Sequence, residues 1–144
     1  MNFSISVDID AAPDVVWSLV SDIEHWPEWT PSVKSIRRLG RSGPLQPGSR
    51  ALVRQPKLLP AVWTVTSMRP DRRFTWKTAL QGMWVVADHW VEATANGSRA
   101  TLSLQFQGLF GPLLARVTKG TNEKYLHLEA NGLKRKSEAI VGVS

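Results

Sequence analysis

The sequence predicts an α+β fold, an antiparallel β-sheet packed against a long C-terminal α-helix. Three observations predict it. Apolar and polar residues alternate in several short runs, the period of strands with one buried face. The later runs are joined by the turn dipeptides Pro70-Asp71, Gln81-Gly82 and Asn96-Gly97, so neighbouring strands form hairpins. The segment from about Pro112 to Ala139 reads as one long helix.

The elements follow in order. Ile5, Val7 and Ile9 alternate with Ser6, Asp8 and Asp10, which marks the first strand. Pro13 suits the first turn of a helix, where its missing N–H costs nothing, and Asp14 adds favourable charge at the same end. Val16, Trp17, Leu19 and Val20 supply that helix's apolar stripe. Ser21 followed by Glu24 reads as a capping box for a second, very short helix, stopped by Pro27 and Pro31. Trp26 and Trp29 crowd this turn. Indoles need wide apolar cover, so they are expected to fold back against the rim of an internal cavity.

Strands are expected over 33–39 and 50–55, with Gly40 to Gly48 as a loop because it holds three glycines and two prolines. Four more are expected at about 61–68, 73–80, 84–95 and 99–106. Side-chain parity fixes their faces. With Gln81-Gly82 as a two-residue turn, Leu80 pairs with Met83. Phe74, Trp76 and Leu80 then share the inner face with Val85, Ala87, His89 and Val91. Across Asn96-Gly97 the inner set continues through Ala100, Leu102, Leu104 and Phe106, and back across Pro70-Asp71 it takes in Ser67, Val65 and Trp63. A bulge in the strand carrying Trp84, Val86 and Trp90 would break this scheme.

Two rows compete for the inner face of the long helix. One is Leu113, Val117, Thr121, Lys124 and Leu128; its neighbour uses Leu114, Tyr125 and Leu133. Gly120 and Gly132 each weaken helix propensity by about 1 kcal/mol relative to alanine, so they allow close approach, leave room for a ligand, or are overridden by burial. The polar members of the first row favour a lined cavity over a dry core.

The chain has 144 residues, enough for one compact core, and 42% are hydrophobic. It contains no cysteine, which removes disulfides and thiolates from consideration. No signal peptide or membrane span is recognisable, and a cytoplasmic location is expected. The charge of +6 is spread over Arg37, Arg38, Arg41, Arg69, Arg72 and Arg73, with a tighter group at Lys134, Arg135 and Lys136. Without a recognition helix or zinc pattern, nucleic acid is not an expected partner. Solubility or transient contact with anionic lipid suits the charge better.

The element order, the segment Ala12-Pro13-Asp14-Val15-Val16-Trp17, then Ser21-Asp22, Trp26-Pro27, Trp29 and Pro31 form a distinctive N-terminal run. His89-Trp90 before the Asn96-Gly97 hairpin and the stretch from Phe106 to Pro112 accompany it. Together they resemble the START/Bet v 1-like superfamily (SRPBCC), in its polyketide cyclase/dehydrase and lipid-transport branch. The resemblance covers essentially the whole chain. It implies one domain over residues 1–144 with a helix-grip fold, a curved antiparallel sheet wrapped around the C-terminal helix, with two short helices after the first strand. It also implies a hydrophobic cavity for a lipid, a polyketide or a similar molecule; a minority of members catalyse cyclisation or dehydration.

The expected ligand-binding residues are Trp63, Phe74, Trp76, Leu80, Ala87, His89, Leu102, Phe106, Val117, Thr121 and Lys124. His89 is the one inward titratable residue on the strands and the only catalytic candidate. It suits hydrogen bonding to a ligand, proton transfer near neutral pH, or plain packing. No acid is expected beside it, because Asp88 and Glu92 share the opposite face. Lys124 either meets a ligand carboxylate or faces solvent. His25 and His127 complete no metal set, and no nucleophile elbow or phosphate loop is present. No cofactor or metal is expected. A cyclase or dehydratase in the same cavity, or an interaction module using the outer Trp84, Val86 and Trp90, are the rival functions.

Overall fold

The computed structural model describes residues 2–40, 43–80 and 82–142; Arg41 and Gln81 lie outside these. Seven strands form one antiparallel sheet in the order β1-β7-β6-β5-β4-β3-β2. They are β1 (Asn2–Ile9), β2 (Ser35–Leu39), β3 (Arg50–Arg54), β4 (Ala61–Arg69), β5 (Arg73–Leu80), β6 (Met83–Thr94) and β7 (Gly97–Gly108). Helix α1 (Pro13–Val20) and a 3₁₀ segment (Ile23–Glu28) follow β1, while α2 (Gly111–Val117) and α3 (Lys119–Ile140) follow β7. This is the α+β helix-grip fold, with the curved sheet wrapped around the long C-terminal helix.

Helix α1 opens on Pro13, carries Asp14 in its first turn, and buries Val16, Trp17 and Val20. The capping box at Ser21 and Glu24 does not form. Ser21 Oγ instead donates to the carbonyl of Trp17, and Glu24 accepts the backbone N–H of Arg38, which ties the short helix to β2. Pro27 sits inside the 3₁₀ segment rather than stopping it, because a tight turn so short leaves few N–H donors to lose.

Leu80 pairs with Met83 as the parity scheme requires, and His89 lies opposite Phe74 and Leu102. Two turns differ from expectation. The β6–β7 turn is Ala95-Asn96, since Thr94 pairs with Gly97. That register is two residues from the expected one, so every side chain keeps its face. Gly97 has another task there: a Cβ on it would lie 2.3 Å from the carbonyl oxygen of Ile9.

In the β4–β5 hairpin Arg69 pairs with Arg73, and the register shifts between Val65 and Ser67. The bulge is therefore in β4, not β6. It turns Ser67 outward and brings Met68 opposite Phe74. Asp71 completes the longer turn with φ of 67°, a conformation an aspartate tolerates better than most side chains.

The C-terminal helix is divided at Thr118, whose hydroxyl donates to the Leu114 carbonyl. Leu114, Tyr125 and Leu133 form the inward row, while Leu113, Val117 and Lys124 are exposed. Apolar packing falls into two clusters. One gathers Val16, Trp17, Trp26, Trp29, Phe74 and Leu133; the other gathers Phe3, Leu102, Phe106, Leu126 and Ala130.

Candidate functional site: an aromatic-walled cavity

A cavity of about 350 Å³ draws its walls from both clusters. The sheet contributes Trp63 from β4, Trp76 and Thr78 from β5, Val85, Ala87 and His89 from β6, and Leu104 and Phe106 from β7. Trp26 closes one side, and α2–α3 supply Leu114, Thr118, Asn122, Tyr125, Leu126 and Glu129. Leu58, Leu59 and Leu80 also line it. Leu59 is 86% exposed and Leu80 45% exposed, so the hollow opens between the β3–β4 loop and the β5–β6 hairpin.

The aromatic wall is built of mutually braced rings. Trp26 and Trp76 have centroids 5.6 Å apart, and Trp63 and Trp76 5.5 Å apart. Such offset and tilted pairs fit the ring quadrupoles better than face-to-face stacking. Trp26 Nε1 donates to the Val20 carbonyl, so its indole is polar-satisfied while its face meets the hollow. Trp29 packs behind it and does not line the cavity.

His89 is held on every side. Its ring stacks on Phe74 at 4.2 Å with 13° between planes, and Nδ1 lies 3.4 Å from the Phe74 carbonyl oxygen. Nε2 lies 3.5 Å from Oε1 of Glu129, which reaches in from α3. The His89 side chain is buried, at 5% exposure, and that of Glu129 is mostly covered, at 15%. The expectation of no acid beside His89 is thus corrected. It considered only the strands, where Asp88 does point away and pairs with Arg73. The signal was present in the helix: Glu129 stands midway between Tyr125 and Leu133, one turn from each, in the row that turned out to be inward.

Of the expected site residues, Trp63, Trp76, Leu80, Ala87, His89 and Phe106 line the cavity. Phe74 and Leu102 do not reach it. The first is fully buried beneath His89, and the second packs with Phe3 and Phe106. Val117, Thr121 and Lys124 lie outside it, with Val117 74% exposed. The division at Thr118 and the inward turn of the neighbouring row put Thr118, Asn122, Tyr125 and Leu126 in their place. Tyr125 donates its hydroxyl to the Pro56 carbonyl, and burial raises its pKa above the ordinary 10.0. Among the described residues no group of three side chains has the arrangement to hold a metal ion, and no helix is long and apolar enough to cross a membrane.

A curved sheet grips a helix around an apolar hollow, the concave and mostly apolar form that small-molecule sites take. Residues 1–138 match the family model for polyketide cyclase / dehydrase and lipid transport, and the chain belongs to that family. No curated protein matches it significantly. Among solved structures it is similar to a hypothetical protein of Helicobacter pylori, with TM-score 0.78 and 16% identity over 94% of this chain and 86% of that one. It is also similar to the Zhui aromatase/cyclase of a Streptomyces species, with TM-score 0.74 and 12% identity over 98% of this chain and 95% of the other. A third is the di-domain aromatase/cyclase StfQ of steffimycin biosynthesis, with TM-score 0.75 and 13% identity; the match covers 99% of this chain and 52% of StfQ. Identities this low speak for a shared fold.

Proposed function

We propose that the protein binds a hydrophobic small molecule, a lipid, a polyketide or a similar compound, in this cavity. The observation that carries the reading is the hollow itself, about 350 Å³ walled by Trp26, Trp63, Trp76, Phe106 and Leu126. A volume in the range of small-molecule sites and a mostly apolar lining with a few polar groups are what such a site needs. Lys57 at the opening, with Arg116 and Lys119 on the adjoining helical segment, supports transient contact with anionic lipid during loading.

The test is titration with a polarity-sensitive apolar fluorophore, 1-anilinonaphthalene-8-sulfonate, against the wild type and Ala87→Phe. Ala87 faces the hollow from the middle of β6, so a phenyl ring there intrudes into it and obstructs a bound molecule. Saturable binding by the wild type and loss of binding in the folded variant are expected. Equal binding by both would put the fluorophore elsewhere and remove the basis of the reading.

The contact between His89 and Glu129 favours a second reading, a cyclase or dehydratase. A carboxylate beside an imidazole supplies the orienting group that proton transfer requires. It predicts turnover that vanishes in His89→Phe while ligand affinity survives.

A further inference from the structure

Three segments border the mouth of the hollow. Leu58, Leu59 and Pro60 come from the β3–β4 loop, Leu80 from the β5–β6 hairpin, and Leu114 and Thr118 from α2 and its end. Phe110 donates its backbone N–H to the Gly82 carbonyl at 3.5 Å, which holds the start of α2 against that hairpin. Most of the large apolar side chains that the described residues leave exposed stand here: Leu59, Leu80, Leu109, Phe110, Leu113 and Val117. Leu59, Leu109, Leu113 and Val117 are each at least 60% exposed. Leu113 and Val117 lie four apart on one face of α2, beside the face that sends Leu114 into the hollow. Exposed apolar side chains gathered at one place mark an interaction surface. The charge there has one sign. Stretches 54–62, 77–85 and 105–120 contain Arg54, Lys57, Lys77, Arg116 and Lys119 and no aspartate or glutamate. Glu123 stands 3.9 Å from Lys119, but both side chains are more than half exposed, and solvent weakens such a pair.

We propose that this end of the molecule docks on an anionic lipid bilayer. Leu59, Leu109, Phe110, Leu113 and Val117 enter the headgroup layer, the basic side chains meet lipid phosphates, and the mouth of the hollow faces the acyl chains. The proposal rests on the cavity-binding reading for what passes through the mouth; the docking itself stands on the surface alone. Charge and shape select the occupant. A second copy of the chain would set like charge against like. A protein partner would need pockets matched to apolar tips from three separate segments, whereas a bilayer yields to protrusions of any spacing. An apolar face flanked by lysine and arginine gains twice at such a surface, by burial of its apolar area and by attraction to anionic headgroups. A ligand then passes between bilayer and hollow without crossing water.

The experiment is flotation of the full chain with vesicles of phosphatidylcholine alone and of an equal mixture of phosphatidylcholine and phosphatidylglycerol. Wild type is compared with Leu109→Ser/Leu113→Ser, with Arg116→Gln/Lys119→Gln and, on the outer face of the sheet, with Trp90→Thr. None of these residues lines the hollow, so thermal unfolding and binding of the anilinonaphthalene fluorophore verify that each variant keeps its fold and cavity. The wild type is expected to partition onto the mixed vesicles about tenfold more strongly than onto phosphatidylcholine. The leucine variant should lose about tenfold on the mixed vesicles. The basic variant should lose a similar factor there and little on phosphatidylcholine, and Trp90→Thr should behave as the wild type. Val117→Ser repeats the apolar test with a single change if the double variant does not fold. No binding to the mixed vesicles, with the fluorophore still bound, overturns the docking and leaves the cavity reading standing. Vesicle binding that the leucine variant leaves unchanged, or that Trp90→Thr abolishes, also overturns it. Vesicle binding without uptake of the fluorophore supports the docking and removes the cavity reading.

Discussion

Gly132 of α3 meets the backbone of Trp29 so closely that a Cβ added to it would stand 1.9 Å from the Trp29 carbonyl oxygen. The glycine exists for this approach, which lets the helix press on the tryptophan turn. Gly132→Ala is therefore expected to destabilise the protein. Alanine's propensity gain of about 1 kcal/mol is outweighed by overpacking of roughly 1–3 kcal/mol or more against backbone that cannot rotate away. Gly120 is the control, because a Cβ there meets nothing within 4 Å. Gly120→Ala should raise the urea midpoint slightly, and Gly132→Ala should lower it. A stabilised Gly132→Ala would contradict the packing described.

The buried pair at the cavity predicts asymmetric costs. His89→Leu removes the stacking on Phe74 and leaves the Glu129 carboxylate without its imidazole neighbour. A loss of about 2–4 kcal/mol is expected. Glu129→Met replaces an unsatisfied acceptor with an apolar chain of similar length. Its stability should fall within about 1 kcal/mol of the wild type or above it. Chemical unfolding of both variants at neutral pH decides the order.

Acid should loosen the link between β1 and α3. The backbone N–H of Asp10 donates to Glu138 Oε2 at 2.9 Å, and Lys134 Nζ lies 2.6 Å from the same oxygen. These two contacts hold the Glu138 carboxyl below its ordinary 4.5. A depressed carboxyl pKa stabilises the fold fully above the ordinary value, and the contribution disappears as pH falls through the lower folded value. Urea midpoints measured from pH 6 down to 3 should show this loss. Glu138→Gln should flatten that part of the curve, and an unchanged slope in the variant would rule the contact out as its source.

Ser98 gives a simpler case. Its fully buried hydroxyl donates to the Ala11 carbonyl at 2.6 Å, fastening the start of β7 to the short connection between β1 and α1. Ser98→Ala leaves that carbonyl without the donor and should cost about 1–3 kcal/mol. Differential scanning calorimetry would register it as a lowered midpoint, and a change within experimental scatter would show that the bond contributes nothing net.

Most of the sheet was legible because hairpins transmit parity. Once Leu80 pairs with Met83, the faces of Phe74, Trp76, Ala87, His89 and Phe106 follow. The misplaced Asn96-Gly97 turn did no harm, since an even slip leaves every face unchanged. Thr66 did harm the scheme, because the bulge there turns Ser67 on the hairpin side outward while Val65 and Trp63 beyond it keep the inner face, and neither Thr66 nor Ser67 carries a feature that announces it. The helix was harder to read. Its inner face was ambiguous between adjacent rows, and the division at Thr118 left Val117, Thr121 and Lys124 outside. Glu129 was overlooked for a physical reason: a carboxylate on an amphipathic helix ordinarily faces water, and only its position between Tyr125 and Leu133 argues otherwise.

The pairing of β1 with β7, the first strand of the chain with the last, has a bearing on synthesis. As the polypeptide leaves the ribosome, Asn2–Ile9 emerges early and its hydrogen-bonding mate, Gly97–Gly108, emerges late. That flank of the sheet cannot close until residues up to Gly108 have been made. During that interval Phe3, Ile5 and Val7 must be kept from pairing with the wrong edge, a duty that falls to the alternating serines and Asp8 on the strand's other face.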